Sequence, residues 1–355
     1  MVNSPLVLVL AGGSGQRFWP LSRQDRPKQL IPLIDGRSLL EMSVDRALAL
    51  TQADRVLVLT QENQLAATRA LLPQLPAEQV QAEPQAHNTA AAIALGVAWA
   101  LRRDEQAVML VLPADHLIET TQAFVQTMRE VQAVAQQQQA LVTVGIPPTW
   151  ASPSYGYLQR GPLLSLPGLE FAVHEVLRFR EKPDPVLAGH FLEEGGFFWN
   201  AGIFAWSLPS IVAEMQAHAP ALAQFALSLR HAPDLMQAAR EGYGSLPKTS
   251  IDYALLEKAS RVLCVVAGFQ WDDLGTWRTL AKHLPTDSQG NGHHGPYAAL
   301  SAENNLVFAQ GPQLVALLGV KDLVVVSTAD AVLVMDRTQG EALRELLPKL
   351  PPSLH

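Results

Sequence analysis

The chain has little sulfur chemistry to offer: one cysteine, Cys264, in 355 residues. A disulfide framework and a cysteine-based zinc site are excluded, and Cys264, inside the apolar run Val262-Leu263-Cys264-Val265-Val266, reads as a reduced core residue. Positive charge is also scarce. Lys and Arg total 26 against 33 Asp and Glu, a net charge of −7, so general nucleic-acid binding is excluded and any anion must be met by a local basic site. No long hydrophobic run occurs. The longest apolar stretch, Ala90 to Leu101, is too short to cross a bilayer, and no basic leader precedes Leu6. These absences point to a cytoplasmic protein with no membrane partner. The chain is long enough, and with 48 % hydrophobic residues apolar enough, for one large domain and a small one.

Against these absences stands Leu10-Ala11-Gly12-Gly13-Ser14-Gly15-Gln16-Arg17-Phe18-Trp19-Pro20-Leu21-Ser22-Arg23, followed by Pro27-Lys28-Gln29. It follows the apolar run Leu6 to Leu10, a buried-strand pattern. A glycine-rich turn after a strand offers backbone N–H groups to an anion at close range. Arg17 and Lys28 make that turn a polyphosphate cradle. It is not a P-loop, because Gly15 is followed by Gln16-Arg17 and not by Lys-Ser/Thr. It is not a dinucleotide fingerprint either, since Phe18 stands where the third glycine belongs. The first helix start comes late, at Ser38 with Glu41, a capping-box pair. A loop this long is functional or disordered, and Phe18, Trp19 and Leu30-Ile31-Pro32-Leu33-Ile34 argue against disorder. Judged by its glycines alone, the segment also reads as a tight turn.

Strand-like runs Leu6–Leu10, Val56–Leu59, Val108–Leu112 and Leu141–Val144 alternate with helical periods near 39–50, 63–72, 88–103 and 123–138. Continuous apolar strands in this rhythm predict an α/β fold with a mainly parallel sheet covered on both faces. Ligands of such sheets bind beyond the strands' carboxyl ends. The segment from Trp150 to Trp206 reads as mixed sheet and loops, and 208–240 as helical. Asp287 to Pro296 reads as a linker. Beyond it, short evenly spaced strands near 306–308, 314–318, 323–326 and 332–335 suggest a few coils of a β-solenoid closed by a helix at 340–347. The expected domains are 1–286 and 287–355.

Polar groups sit at telling places. Asp115, in Leu112-Pro113-Ala114-Asp115-His116, follows a buried strand, and Asp273, in Trp271-Asp272-Asp273-Leu274-Gly275, follows another. Two such carboxylates suit Mg²⁺, which takes one or two and completes its shell with water and phosphate oxygens. Alone, Asp115 equally reads as a turn or cap residue. Asn88, in Glu83-Pro84-Gln85-Ala86-His87-Asn88-Thr89, reads as a helix N-cap, and the same helix start suits an anion or a base edge. Tyr155-Gly156-Tyr157, Glu181-Lys182-Pro183, Asn200-Ala201-Gly202 and Ser250-Ile251-Asp252 offer paired donors and acceptors of the kind that sugar hydroxyls need. Each of the four is weak by itself.

Taken in order, these motifs resemble the sugar-nucleotide pyrophosphorylases. Trp19-Pro20-Leu21-Ser22-Arg23 with Pro27-Lys28-Gln29 is similar to the bacterial mannose-1-phosphate guanylyltransferases. The resemblance covers nearly the whole chain. It implies a Rossmann-like nucleotidyltransferase domain followed by a small left-handed β-helix. It further implies GTP and mannose 1-phosphate as partners, Mg²⁺ as cofactor on Asp115 and Asp273, and Arg17, Lys28 and Lys182 as the cations of catalysis. Nucleotide contacts would come from Leu10, Ala11, Gly12, Gly13, Ser14, Gly15, Glu83, Asn88, Thr89, Pro113 and Asp115. Sugar-phosphate contacts would come from Tyr155, Gly156, Glu181, Lys182, Asn200, Gly202 and Asp252. The family usually has Lys or Arg where this chain has His87. A pyrophosphorylase for another sugar or base, and a non-catalytic regulatory homologue, stay open as alternatives. The apolar solenoid edge is a candidate homodimer surface.

Overall fold

The computed structural model describes residues 4–13 and 15–354. Ser14, one of the expected nucleotide contacts, lies outside the described residues. The chain divides into two compact units, each with its own core. The first comprises Met1–Gly12, Ser43–Ala114 and Ile118–Trp271. The second comprises Gly13–Met42, Asp115–Leu117 and Asp272–His355.

A nine-stranded mixed sheet organises the first unit. Val80–Ala82, Val56–Thr60, Leu6–Leu10 and Val108–Pro113 lie side by side and parallel; continuous apolar runs predict the last three, whereas Val80–Ala82, interrupted by Gln81, is an addition. Phe197–Ser207 then runs antiparallel between Val108–Pro113 and Leu141–Ile146. Val262–Val266, Val173–Arg180 and Tyr157–Leu164 complete the order, and Tyr157–Leu164 also pairs with Phe197–Ser207. Helix Thr89–Leu101 is buried along nearly its whole length. Its alanine-rich, uncharged sequence explains that position, because a helix apolar on all sides has no face for water. It packs against helix Pro220–Leu229 and against strands Leu6–Leu10 and Val108–Pro113.

The helical stretch after the sheet resolves into Leu208–His218, Pro220–Leu229 and Leu235–Gly242. Proline opens the first two. Ser207 and Asp234 cap the first and third by accepting from Ser210 N and Gln237 N.

The second unit stacks short strands. Gly292–His294, Leu306–Ala309 and Leu323–Ser327 run parallel, Val332–Asp336 closes them antiparallel, and Tyr297–Leu300 pairs with Val315–Leu318 on another face. The expected linker is therefore partly a strand: Gly292–His294 forms the first rung. Fully buried asparagines mark the corners. Asn305 N donates to Asn291 Oδ1 at 3.0 Å and Leu323 N to Asn305 Oδ1 at 2.9 Å, so each side chain satisfies the backbone of the next coil. The apolar core here joins Phe18, Trp19 and Leu21 to Trp277, Leu306, Phe308 and Val326. Among the described residues no helix is long and apolar enough to cross a membrane.

Trp206 is fully buried in the first unit's core, and among the described residues its indole N–H has no partner. Trp206→Ala is expected to cost about 3–5 kcal/mol in urea denaturation. Trp206→Phe should cost distinctly less, because it leaves a smaller void and removes an unsatisfied donor.

Candidate active site

In the second unit, Gly15 takes φ +47°, and a Cβ placed on it would lie 2.4 Å from the backbone nitrogen of Lys28. Only glycine lets the loop close on itself there. Lys28 follows extended Pro27 into the short helical turn Lys28–Leu30. Its ammonium lies 2.9 Å from Asp115 Oδ2 and donates at 2.7 Å to the carbonyl oxygen of Asp273. The lysine side chain is 7 % exposed and that of Asp115 41 %, so the carboxylate stays open to an incoming cation while the ammonium is enclosed. Desolvation pushes the Asp115 carboxyl up, but Lys28, with His116 behind it, outweighs this and holds it near 2.

Arg17 is held by Glu341 Oε1 at 3.1 Å and by the carbonyl of Gly275 at 3.4 Å. Asp273 Oδ1 accepts from Gly275 N at 3.1 Å, and Gln29 Nε2 donates to the carbonyl of Gly13 at 3.0 Å. Asp272 serves locally, accepting from Leu274 N at 2.7 Å and facing His283 at 3.3 Å. Arg17, Lys28, Asp115 and Asp273 thus belong to one network. Among the described residues, no group of three or more His, Cys, Asp or Glu side chains could hold a metal ion by protein atoms alone.

In the first unit, Leu10, Ala11 and Gly12 leave the strand fixed by backbone bonds: Ala11 N donates to Leu59 O, and Ala114 N to Leu10 O. Pro113 ends the neighbouring strand. A Cβ on Gly12 would lie 2.6 Å from Glu83 Oε1, so this glycine lets the main chain meet the carboxyl. Glu83 is 6 % exposed, and its Oε2 accepts from the Tyr243 hydroxyl at 2.5 Å. Burial raises the Glu83 carboxyl to about 7, against the lowering effect of Tyr243. Asn88 takes the expected N-cap position of helix Thr89–Leu101 in extended conformation, but among the described residues its side chain makes no capping hydrogen bond. The helix start is tied instead through Thr89 Oγ1, which accepts from Ile251 N at 2.9 Å.

The four expected sugar motifs also meet in this unit. Asn200 Nδ2 donates to Asp252 Oδ1 at 3.2 Å, while Asn200 Oδ1 accepts from Thr143 at 2.7 Å and from Gly202 N at 3.3 Å. A Cβ on Gly156 would lie 2.6 Å from Glu181 Oε2 and 3.4 Å from Asn200. Lys182, with φ +45° and a 62 % exposed side chain, reaches back to Glu181 Oε1 at 2.6 Å. Burial and then Glu181 raise Asp252 to about 6. Tyr155 stands edge-on to Trp199 and Trp271, at 5.0 and 5.3 Å, forming an apolar wall. Thr143, Trp199, Trp271, Tyr243 and Glu341 escape the sequence reading, because no spacing signal connects them to their distant partners.

The Nucleotidyl transferase family model matches residues 6–290. The chain belongs to this family. A second model, of the MannoseP isomerase/GMP-like beta-helix domain, matches residues 295–350. The Mannose-1-phosphate guanylyltransferase ManC of Salmonella typhimurium (strain LT2) is 36 % identical over 97 % of this chain and 72 % of its own. The Xanthan biosynthesis protein XanB of Xanthomonas campestris pv. campestris is 34 % identical over 98 % of this chain and 74 % of its own. A crystal structure described as mannose-1-phosphate geranyltransferase from Thermus thermophilus superposes with a TM-score of 0.87 at 33 % identity, covering 98 % of this chain and 99 % of that one. The α/β transferase fold with a mixed sheet and an appended β-helix follows.

Gly15→Ala tests the loop closure around Lys28. It should cost about 2 kcal/mol or more in denaturant unfolding, since it adds left-handed strain to a clash with main chain. An unchanged midpoint would show that the loop does not close through Gly15.

Proposed function

We propose that the chain transfers GMP from GTP to mannose 1-phosphate, giving GDP-mannose and pyrophosphate. The observation that carries this reading is Lys28, an enclosed ammonium between Asp115 and the main chain of Asp273, beside a tethered arginine. The names of the relatives supply the base and the sugar.

The sugar phosphate is ionised at neutral pH, so no protein nucleophile is needed. One of its oxygens attacks the α-phosphorus in line, a new P–O bond forms, and the bond to pyrophosphate breaks. The obstacle is repulsion between two polyanions, which positioning and fixed positive charge offset. Arg17 and Lys28 would stabilise the triphosphate charge, and Lys182 the sugar phosphate. Leu10 to Gly15 and Pro113 would supply main chain to the nucleotide, and Glu83, Asn88 and Thr89 its base side. Tyr155, Gly156, Glu181, Asn200, Gly202 and Asp252 would hold the sugar. Asp115 and Asp273 would hold a divalent ion, proposed as Mg²⁺. Their hard oxygens fit it, and two carboxylates leave room for the phosphate and water oxygens that Mg²⁺ requires. That ion would supply further charge neutralisation. We also propose 1–286 as the transferase domain, 287–355 as the β-helix domain, a cytoplasmic location, and the β-helix edge as a homodimer surface.

Pyrophosphate release should be fastest with GTP and mannose 1-phosphate among nucleoside triphosphates paired with mannose, glucose and N-acetylglucosamine 1-phosphates. A clear preference for another pair would overturn the assignment. Lys28→Ala or Arg17→Ala should lower turnover by roughly 10²–10³ with folding intact. Asp273→Ala should abolish the Mg²⁺ dependence of activity; unchanged metal dependence would move the ligand elsewhere.

A further inference from the structure

Tyr243 is absent from every motif in the sequence, yet its fully buried side chain ends on a functional carboxyl. It starts the short helical turn Tyr243–Ser245, and its hydroxyl meets Glu83 across 160 positions of sequence. The ring is fixed from two sides, by His87 at 5.2 Å and Phe225 at 5.8 Å. Glu83 is pinned at its main chain, where its N–H donates to Thr60 O at 2.8 Å. Of the two carboxyl oxygens, Oε2 holds the tyrosine hydroxyl and Oε1 stands against Gly12.

Resting on the guanylyl-transfer reading above, we propose that Tyr243 is a base-selecting positioning residue. Its hydroxyl orients the Glu83 carboxyl and favours the ionised form, so that the carboxylate accepts the N1–H and 2-amino donors of guanine.

The chemistry is one of matching. An ionised carboxylate only accepts hydrogen bonds, whereas a protonated carboxyl also donates. Guanine presents two donors on this edge, while adenine presents an acceptor at N1, which an ionised carboxylate repels. A fixed hydroxyl donor is therefore a device for keeping Glu83 an acceptor. Tyr243 suits this role because burial, with Glu83 beside it, raises its phenol far above the ordinary range, so it keeps its proton. The other titratable group against this cluster is His87, whose own charge is suppressed by desolvation and by Lys248. No permanent cation is bonded to Glu83 among the described residues, which leaves Tyr243 as the group that tips its protonation.

With Glu83 raised to about 7, its ionised fraction grows as pH rises through neutrality. In the unaltered enzyme kcat/KM for GTP should therefore fall below about pH 7, with KM carrying the loss and kcat nearly constant. Tyr243→Phe withdraws the donor that favours the ionised form, so this acid limb should move up by about one pH unit. Near neutral pH the variant should lose about tenfold in kcat/KM for GTP, again through KM, and its preference for GTP over ITP, which lacks the 2-amino group, should shrink. In a Glu83→Gln background the same change should have less than a twofold effect.

A kcat/KM profile for GTP flat down to pH 5.5 in the unaltered enzyme would overturn the proposal, whether or not the variant folds. So would a Tyr243→Phe enzyme with unchanged limb and unchanged GTP/ITP ratio, or equal losses in both backgrounds. An unaltered enzyme that prefers another nucleotide would instead sink the guanylyl reading itself, and the pyrophosphate-release assay separates that failure from this one.

Discussion

An ammonium removed from water must find partners, and among the described residues Lys28 meets the carboxylate of Asp115 and the carbonyl of Asp273. These residues come from three separate parts of the chain, so a single buried charge fixes three segments together. The glycine at position 15 makes this closure sterically feasible. The rest of the second unit supports the arrangement. Phe18 and Trp19 enter an apolar core with Trp277 and Phe308, and the Trp277 indole donates to the Trp19 carbonyl at 3.1 Å. The same loop is tied to the C-terminal segment at three points: Arg17 to Glu341, the Trp19 indole to the Leu354 carbonyl, and Arg23 to Asp330. Glu341 and Asp330 are largely exposed, so each ion pair by itself contributes little. The shared core carries the energy, and the polar ties set direction. The β-helix thereby serves as the seat on which the basic loop is held.

The carboxyls of the two units are tuned in opposite senses. Asp115 is held low by a lysine, whereas burial raises Glu83, and burial with Glu181 raises Asp252 against the opposing pull of Lys182. The signs differ accordingly in stability. Asp115 contributes stability above its unfolded value near 3.8, lost as pH falls toward about 2. Glu83 contributes stability that is complete below 4.5 and is lost as pH rises through about 7. A buried acid that resists ionisation is a burden on the empty protein. It becomes an asset once a ligand brings hydrogen-bond donors to it, which is why such groups collect where ligands bind.

Legibility from sequence followed the range of the interaction. Strands Leu6–Leu10, Val56–Thr60 and Val108–Pro113 were readable because buried strands are continuous apolar runs, and the Ser38–Glu41 capping box was readable because its partners are three residues apart; Val80–Ala82, short and broken by Gln81, was not. Asp115 was singled out as a polar residue just past the run Val108–Leu112, while Glu83 entered only through the motif ahead of helix Thr89–Leu101 and the resemblance. The first β-helix rung was hidden, since Gly292–His294 is glycine-rich and polar, and only its pairing with Leu306–Phe308 makes it a strand. Asn88 was legible as the N-cap from its residue type, but the bond that ties the helix start, from Ile251 N to Thr89 Oγ1, spans 162 positions and leaves no local signal. Thr143 on Asn200 and Tyr243 on Glu83 are long-range pairings with no local periodicity.

His87 shows how one substitution redistributes work. The resembled family usually places a lysine or arginine there, which would bring permanent charge to the helix start. In this chain the imidazole lies against Tyr243, both ring nitrogens are buried with no partner among the described residues, and desolvation lowers its affinity for a proton. The position therefore supplies an apolar face rather than a cation. A flat neutral ring in that place helps to fix the phenol, whose hydroxyl meets Glu83. A guanidinium would instead have favoured the ionised carboxyl directly, by charge. What a cation could do through space is left here to a hydroxyl acting through a bond, a weaker lever that leaves Glu83 titrating near neutrality. Under the proposed guanylyl transfer, the positive charge demanded by phosphate would then fall to Lys28, Arg17 and Lys182.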